Sequence, residues 1–344
     1  MINLFKKIKE RNYRKISFIG INIYEKFNDG DFITTKFFKG FIKTKKDTYL
    51  RIKRVYLCGV IIYESQISYF LFKKLKKDIE YLKIKQNMNL AIANHHSKIF
   101  PQFKNINRNK TVAIVATGKT MSYYKQNDNI VNIGVNAACL REDIDFSYWF
   151  AIDYSATKNL MDFLKLKKYY KFFGQCSSSL TDHCFRKIKN DEFEYYFFPD
   201  SLIDDMPNSF KFYIDHPSLE INRDIETQAM PDLSSCVFSA LRFALYTGTK
   251  KIYLVGCDAS LNGYFDKNYK QIESWSPENV LRGWYIYKEF LDIFYPDVEI
   301  ISINPVGLKG IFKDIYTKNY IENNIELKSE FGENIIYLED IEDV

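Results

Sequence analysis

From Lys110 onward, short apolar runs alternate with longer segments that have helical spacing. Each apolar run stops in turn-forming residues, and the runs are 111–116, 130–136, 147–153, 167–174, 251–256 and 298–304. Helix candidates lie between some of them, at 155–166, 234–248 and 279–296. This alternation predicts an α/β domain with a doubly wound, mostly parallel sheet that is covered by helices on both faces.

The segment before this domain contains an internal repeat. Residues 14–26 (RKISFIGINIYEK) and 53–65 (KRVYLCGVIIYES) align without gaps. Both copies have a basic pair, an apolar run and a central glycine, Gly20 or Gly59, where the missing Cβ atom permits a tight bend. We interpret each copy as a β-hairpin with a structural or docking role.

A basic amphipathic helix is predicted over residues 66–86. Its apolar positions, which include Leu75, Ile79 and Leu82, follow helical spacing, and lysines occupy the other face. Two interpretations are open. The apolar stripe packs on the body of the protein, or the helix lies on an anionic membrane surface.

The charge of the chain is divided unevenly. Residues 1–110 contain 25 Lys and Arg against 8 Asp and Glu, whereas residues 111–344 contain 24 against 35. A basic segment on an acidic body suggests an anionic partner, and nucleic acid, an anionic membrane and an acidic protein all fit. A well-solvated basic appendage is the alternative. We expect a basic N-terminal segment at 1–93, a polar linker at 94–110 and the α/β domain at 111–344.

Cysteine use and hydropathy indicate an intracellular protein. The six cysteines have no C-x-x-C pair, which is typical of reduced thiols. No apolar run approaches the roughly 18 to 20 residues that span a bilayer. The first residues lack the pattern of a signal peptide.

Polar residues follow the predicted strands, where a Rossmann-like sheet binds its ligands. They are Thr117 to Thr120, Asn136, Asp153, Ser177 to Ser179, Asp258 and Asn304. The turn ATGKTM offers backbone N–H groups, hydroxyls and Lys119 to a phosphate, although it has one glycine and is neither a G-x-G-x-x-G motif nor a P-loop. Helix capping is an equal alternative for Ser234.

Four segments, in this order, resemble the bacterial family 42 glycosyltransferases, the sialyltransferases of surface glycans. They are VAIVATGKTMSYY, IGVNAA, WFAIDYS and LSSCVFSALRFALYTGTKKIYLVGCDASLNG. These segments also resemble the related motility-accessory-factor and pterin pyrophosphokinase-like enzymes. The resemblance covers residues 110–310 and is most specific at 234–263. It implies a GT-A-like variant of the Rossmann-like fold and a nucleotide-sugar donor, with a CMP-sugar favoured.

The resemblance also implies roles for individual residues. Donor-binding positions of the family fall on Thr117, Gly118, Thr120, Asn136, Ser234 and Ser235. A polar strand end falls on Asp153, and the family's glycine-x-aspartate strand end falls on Gly256 and Asp258.

This chain departs from the family at the catalytic positions. The family's histidine base corresponds to Asn279, and its two tyrosines correspond to Ser260 and Asp266, with Tyr264 between them. A carboxylate is the natural replacement for the base. Glu278 is a candidate base, although the helix dipole alone also favours a carboxylate there. Asp153 and Asp258 are candidates for catalytic or metal-binding groups.

We therefore expect a glycosyltransferase in bacterial surface glycan synthesis, of lipopolysaccharide, lipooligosaccharide or capsule, with a glycan or lipid-linked acceptor. It would work in the cytoplasm, peripherally at the inner face of the cytoplasmic membrane. A metal-dependent phosphotransferase with a divalent cation on Asp153 and Asp258 is the enzymatic alternative. A nucleic-acid-binding protein and a non-catalytic scaffold are the others. His95 and His96 have no partners at metal-ligand spacing, so no zinc site is predicted. His216 is interpreted as a structural or incidental loop residue. Metal dependence, stereochemistry and homo-oligomerisation stay open.

Overall fold

The computed structural model describes residues 5–9, 13–18, 21–28, 32–37, 42–47, 53–57, 60–64, 67–177, 198–215, 221–266, 276–327 and 335–341. Two compact units divide the chain, Met1–Lys85 and Gln86–Val344. Within the described residues, no helix combines the length and the apolar character needed to cross a membrane.

The first unit contains an antiparallel sheet in which each strand pairs with the next. Its strands are β1 (Phe5–Lys9), β2 (Tyr13–Phe18), β3 (Ile21–Asn28), β4 (Phe32–Phe37), β5 (Ile42–Asp47), β6 (Lys53–Leu57) and β7 (Val60–Glu64). The predicted repeats form the hairpins β2–β3 and β6–β7. Gly20 and Gly59 lie outside the described residues.

Both hairpins carry a β-bulge at the same place in the repeat. In the first, Ile16 pairs with Tyr24 and Ser17 with Asn22. In the second, Val55 pairs with Tyr63 and Tyr56 with Ile61. The second strand of each hairpin therefore contains one extra residue, Ile23 or Ile62. The two copies share backbone register as well as sequence.

The sequence prediction of two hairpins was incomplete, because β4 and β5 connect them into one sheet. These strands, FITTKF and IKTKKD, contain threonine and lysine in place of an apolar run. Pairing with a neighbour on each side stabilises such polar strands in a way that hydropathy does not reveal.

Helix α1 (Ile67–His96) starts as predicted and continues ten residues beyond the predicted end at residue 86. The added turns place Met88, Ile92 and His96 four residues apart, and Ile92 and His96 are buried. Such spacing puts them on one helix face, which packs on the second unit's own core. The segment 94–110, for which the sequence predicted a linker, also places Phe100 and Phe103 in that core.

The second unit is built on a parallel sheet. Its strands are β8 (Thr111–Val115), β9 (Ile130–Val135), β10 (Phe146–Ala151), β11 (Tyr170–Cys176), β12 (Ser209–Asp215), β13 (Met230–Pro231), β14 (Lys251–Val255), β15 (Glu299–Ile303) and β16 (Lys313–Ile315). They are ordered β13-β12-β11-β10-β9-β8-β14-β15-β16, and neighbouring strands run parallel. All six predicted strands are confirmed. The strands β12, β13 and β16 were not predicted.

Helices connect these strands. They are α2 (Tyr154–Thr157), α3 (Met161–Lys165), α4 (Asp200–Asp204), α5 (Cys236–Tyr246), α6 (Pro277–Phe294) and α7 (Lys318–Asn323). Short 3-10 turns add Phe100–Phe103, Lys119–Tyr123, Asn136–Leu140, Lys158–Leu160 and Leu338–Asp340. The predicted helices at 234–248 and 279–296 correspond to α5 and α6. The predicted helix at 155–166 is divided into α2, a 3-10 turn and α3.

Alternate residues of the central strands enter separate cores on the two faces of the sheet. Val112 and Ile114 of β8 join the core with α5 and α6, whereas Ala113 and Val115 join the core on the opposite face. This two-sided burial explains the continuous apolar runs of the sequence. The fold is thus the predicted α/β, Rossmann-like, doubly wound one.

His96 joins α1 to the sheet of the second unit. The Tyr213 amide donates to its Nε2 at 2.8 Å, so the proton sits on Nδ1, which donates to the Ile225 carbonyl at 2.9 Å. The ring is fully buried. Burial lowers its pKa from 6.5 to about 4.

A neutral buried histidine makes stability depend on pH. The folded pKa lies below the unfolded one, so the contribution is complete above pH 6.5 and is lost as the pH falls toward 4. The loss should reach about 3 kcal/mol. His96→Gln should flatten the fall of the unfolding midpoint between pH 7 and 4, and His95→Gln should flatten it less. Parallel slopes for His96→Gln and the unchanged protein would contradict this role.

Candidate functional site

The strand order reverses between β8 and β14. The chain builds outward from β8 to β13 on one side, returns through α5, and continues from β14 to β16 on the other. Ligands of open α/β sheets bind outside the carboxyl ends of the strands at such a point. The residues predicted at strand ends follow one another along this edge, in the order Asp153, Asn136, Thr117, Asp258 and Asn304.

The two turns that follow β8 and β14 touch through their backbones. The Gly118 amide donates to the Gly256 carbonyl at 2.8 Å. A Cβ atom on Gly118 would lie 2.4 Å from that oxygen and 2.5 Å from Cγ of Asp258. Gly256 has φ +63°, and a Cβ there would lie 2.7 Å from the Ala116 carbonyl oxygen. Both glycines are therefore needed for close approach of the turns.

Asp258 is buried between these turns. Its carboxylate accepts hydrogen bonds from the Thr120 amide at 3.0 Å, from the Thr120 hydroxyl and from the Lys119 amide. Burial raises its pKa, and the hydrogen bonds from Thr120 and Lys119 oppose that rise. The backbone N–H groups that the sequence predicted to hold a phosphate therefore already donate hydrogen bonds within the protein. Those of Lys119 and Thr120 donate to the Asp258 carboxylate, and that of Gly118 donates to the Gly256 carbonyl.

The chain after Asp258 returns across the β8 turn. Tyr264 forms an antiparallel bridge with Gly118, and the Phe265 amide donates to the Thr117 carbonyl at 3.0 Å. Tyr264 is half-buried, and burial and the Asp153 carboxylate both raise its pKa. The segment 256–266 therefore connects the switch point to the end of β10.

Asn136 follows β9 with φ +50°. Its backbone carbonyl accepts a hydrogen bond from Nε1 of Trp149 at 2.7 Å. Its side-chain oxygen Oδ1 is buried and has no hydrogen-bond partner among the described residues. A buried acceptor without a donor costs free energy, and each such atom in a folded protein calls for an explanation.

Asp153 caps the N-terminus of α2. One carboxylate oxygen accepts hydrogen bonds from the Ser155 hydroxyl at 2.8 Å and the Ala156 amide at 3.2 Å. Its pKa is raised, first by burial and further by the carboxylate of Asp232, while Ser155 and Ala156 oppose the rise. A partly accessible carboxylate with a raised pKa is suited to accept a proton.

The two predicted serines lie at the start of α5 and differ in role. Ser235 is the N-cap, and its hydroxyl accepts from the Val237 amide at 3.4 Å. Ser234 is exposed at φ +68° and follows Leu233 at φ +44°. Asp232, which precedes them, is 5% exposed and lies near Asp153. The sequence prediction missed Asp232, and its place directly after the two-residue strand β13 was the available signal.

Left-handed backbone recurs along this edge. Among described non-glycine residues, Asn136, Leu233, Ser234, Ala259 and Asn304 have positive φ and follow strands of the sheet. Leucine, serine and alanine rarely adopt this conformation, which costs on the order of 1 to 3 kcal/mol at each residue. Such strain concentrates at functional sites of proteins, so the edge is a candidate site on backbone grounds as well.

Other predicted residues lie elsewhere. Glu278 is exposed in the first turn of α6, and a hydrogen bond from the Ser276 hydroxyl at 2.6 Å lowers its pKa, which weakens it as a base. His216 lies outside the described residues.

Beyond Asp258, a pair of tyrosines that the sequence did not suggest borders the edge. The rings of Tyr123 and Tyr320 meet edge to face at 5.1 Å between centroids. Burial raises the pKa of Tyr320, and the Asp258 carboxylate raises it further. Asn304 holds the neighbouring segment through two hydrogen bonds to Thr317, at 2.9 and 3.0 Å.

Asp153 and Asp258, proposed to share a cation, are engaged with separate partners, Ser155 and Thr120. No group of three His, Cys, Asp or Glu side chains in the described part of the chain is arranged to hold a metal ion. A cavity of about 530 Å³ lies at the opposite, amino-terminal ends of β10 and β11. Its lining includes Arg141 and Asp143, which pair with each other.

No protein-family model matches the sequence, and a search of curated proteins finds no match. Among solved structures, the MAf glycosyltransferase from Magnetospirillum magneticum AMB-1 is similar over 68% of this chain, with 12% sequence identity and a TM-score of 0.38. The similar region is 41% of that chain, so this chain spans less than half of its length.

The contacts of Asp258 predict a test that separates positioning from chemistry. Asp258→Ala should lower the free energy of unfolding by about 2 to 4 kcal/mol, because two amides and a hydroxyl lose a buried acceptor. Asp258→Asn should retain most of that stability, since its amide oxygen can accept from the Thr120 amide while its nitrogen donates to the Thr120 hydroxyl. Urea unfolding measures both. Equal losses for the two variants would contradict the predicted rescue.

Proposed function

We propose that this chain is a glycosyltransferase whose nucleotide-activated sugar donor binds at the carboxyl ends of β8, β9, β10 and β14. The observation that carries this proposal is the unpartnered, buried Oδ1 of Asn136 at this edge. A ligand hydroxyl or amine that donates to Oδ1 would recover about 1 to 3 kcal/mol of unmet hydrogen bonding. Ribose, sugar and cytosine groups all supply such donors.

The polar groups along the edge fit a hydroxyl-rich donor with a phosphate. The side-chain oxygen of Asn136 is a hydrogen-bond acceptor, which suits a ribose or sugar hydroxyl of the donor. Lys119 is exposed in the β8 turn and supplies the cation for a phosphate. Because the turn's own N–H groups are engaged with Asp258 and Gly256, the phosphate would depend on Lys119 and on hydroxyls such as that of Ser234. The sequence resemblance at residues 234–263 supports a CMP-sugar as the first donor to test.

Asp153 is the general base in this proposal. The acceptor hydroxyl gives its proton to the Asp153 carboxylate while its oxygen bonds to the anomeric carbon of the donor. The bond between that carbon and the donor phosphate oxygen breaks, and the nucleotide leaves. Asp153 is preferred to Glu278 because its pKa is raised, whereas that of the exposed Glu278 is lowered. Asp258 acts as a positioning residue that fixes the β8 turn.

The acceptor proposed here is a glycan or a lipid-linked glycan of a bacterial surface polymer, such as lipooligosaccharide or capsule. This part of the proposal rests on the sequence resemblance. The competing metal-dependent phosphotransferase has one observation in its favour, which is the proximity of the Asp153 and Asp232 carboxylates. Removal of divalent cations by EDTA should abolish such an activity and leave the proposed transfer intact.

Donor binding can be tested by thermal unfolding with CMP, CDP, UDP, GDP and their sugars, with and without Mg²⁺. A ligand at 100 times its Kd should stabilise the protein by about 2.7 kcal/mol. Asn136→Gly should weaken binding about 5- to 150-fold through loss of one hydrogen bond. Asn208→Gly is the matched control, because Asn208 has a similar φ of +55° away from this edge. Stabilisation by none of the nucleotides would overturn the proposal.

The role of Asp153 predicts opposite pH shifts in two variants. Ser155→Ala removes a hydrogen bond that lowers the Asp153 pKa, so the acidic limb of kcat/KM should move to higher pH. Asp232→Asn removes a charge that raises this pKa, so the limb should move to lower pH. Asp153→Asn should lower kcat about 10²- to 10⁴-fold and leave donor binding. Acidic limbs that stay fixed in both neighbouring variants would exclude Asp153 as the base.

A further inference from the structure

Helix α1 carries an apolar stripe that the protein leaves exposed. Leu75, Ile79 and Leu82 are spaced so that they share one helix face, and they are 57%, 45% and 61% exposed. The packing interpretation of the sequence required these side chains to be covered. The structure instead presents a contiguous aliphatic strip of the first unit to its surroundings.

Lysines border this strip on both sides. At about 3.6 residues per turn, Lys74 and Lys85 lie along one border together with Asp78, and Lys76 and Lys83 lie along the other. All four lysines are exposed. An aliphatic strip between two rows of lysine suits the boundary between lipid headgroups and acyl chains, where the strip is buried and the ammonium groups reach the phosphates.

The sheet of the first unit divides its charges between its two faces. Register places six strand cations on one face, here called the cationic face, with none of the strand carboxylates: Lys7, Lys9, Arg14, Lys26, Lys46 and Lys53. The other face has Lys6, Lys15, Lys36, Lys43, Lys45 and Arg54 together with Glu25, Asp47 and Glu64. Among the described strand residues, the register therefore assigns cations without carboxylates to one face.

The cationic face also carries an apolar row that crosses six strands. Direct register partners place Ile16, Tyr24, Phe37, Ile42, Leu57 and Val60 in line across β2 to β7. The first unit as a whole has 21 Lys and Arg against 8 Asp and Glu. Both helix α1 and the sheet of the first unit therefore place apolar residues next to cations.

We propose that the first unit binds an anionic membrane surface through the α1 strip and the cationic face of the sheet. A second copy of this chain fits less well, because contact between two strips would bring like-charged lysine borders together. Nucleic acid would use the cations but would leave Leu75, Ile79 and Leu82 without an apolar environment. An anionic bilayer satisfies both kinds of group.

Sedimentation of the full chain with vesicles tests the proposal. Binding should occur to vesicles of phosphatidylcholine mixed with phosphatidylglycerol and not to phosphatidylcholine alone, and salt should weaken it. Replacement of Leu75, Ile79 and Leu82 by Gln should weaken binding at least tenfold. The control Leu90→Gln, on the same helix in the second unit and also 57% exposed, should leave it unchanged.

Two matched sets of charge variants test the cationic face. Replacement of Lys7, Lys9, Lys26, Lys46 and Lys53 by Gln should weaken vesicle binding by up to about 3,000-fold, since each lysine near the surface contributes about fivefold. The same change at Lys6, Lys15, Lys36, Lys43 and Lys45 removes equal charge from the other face and should weaken it less. Far-UV circular dichroism confirms that both sets are folded. Equal losses, binding that survives loss of the α1 strip, or tighter binding to single-stranded RNA than to anionic vesicles would overturn the proposal.

Discussion

The hydrogen bond from the Gly118 amide to the Gly256 carbonyl joins the two strands at which the sheet changes direction. It requires two residues without Cβ atoms, because either side chain would collide with the backbone of the other turn. The approach encloses Asp258, whose carboxylate then organises Lys119 and Thr120. Asn136 and Asp153 follow β9 and β10, the next two strands of the sheet beside this junction.

The sequence predicted equivalent roles for Asp153 and Asp258, but the environments of the two carboxylates differ. Asp258 is enclosed by amide and hydroxyl donors and has little exposure, so its oxygens are occupied within the protein. Asp153 instead caps the adjacent helix α2, and its side chain stays partly accessible. A neighbouring carboxylate, Asp232, makes its protonation easier. These differences support the proposal that Asp153 is the base and that Asp258 is a positioning residue.

The elements that were predicted correctly from the sequence are those that hydropathy and turn-forming residues indicate. The strands β8, β9, β10, β11, β14 and β15 appeared as apolar runs because they are buried on both faces. Strands β4 and β5 were missed because their lysine and threonine residues leave no apolar run in the sequence. Residues 94–110 look polar, yet His96, Phe100 and Phe103 are buried there, and their spacing continues that of Met88 and Ile92, a signal that the polar composition of the segment obscured. Asp232 was missed because β13 has two residues, too few for a pattern, and the engagement of the β8 turn by Asp258 depends on contacts 138 residues apart.

The shared bulge of the β2–β3 and β6–β7 hairpins bears on which face of the sheet the side chains beyond it occupy. One extra residue in the second strand resets the alternation of side chains, and both copies reset it at the same position. Each hairpin therefore contains its own register shift, and loss of the extra residue, Ile23 or Ile62, would reverse the facing of the rest of that strand.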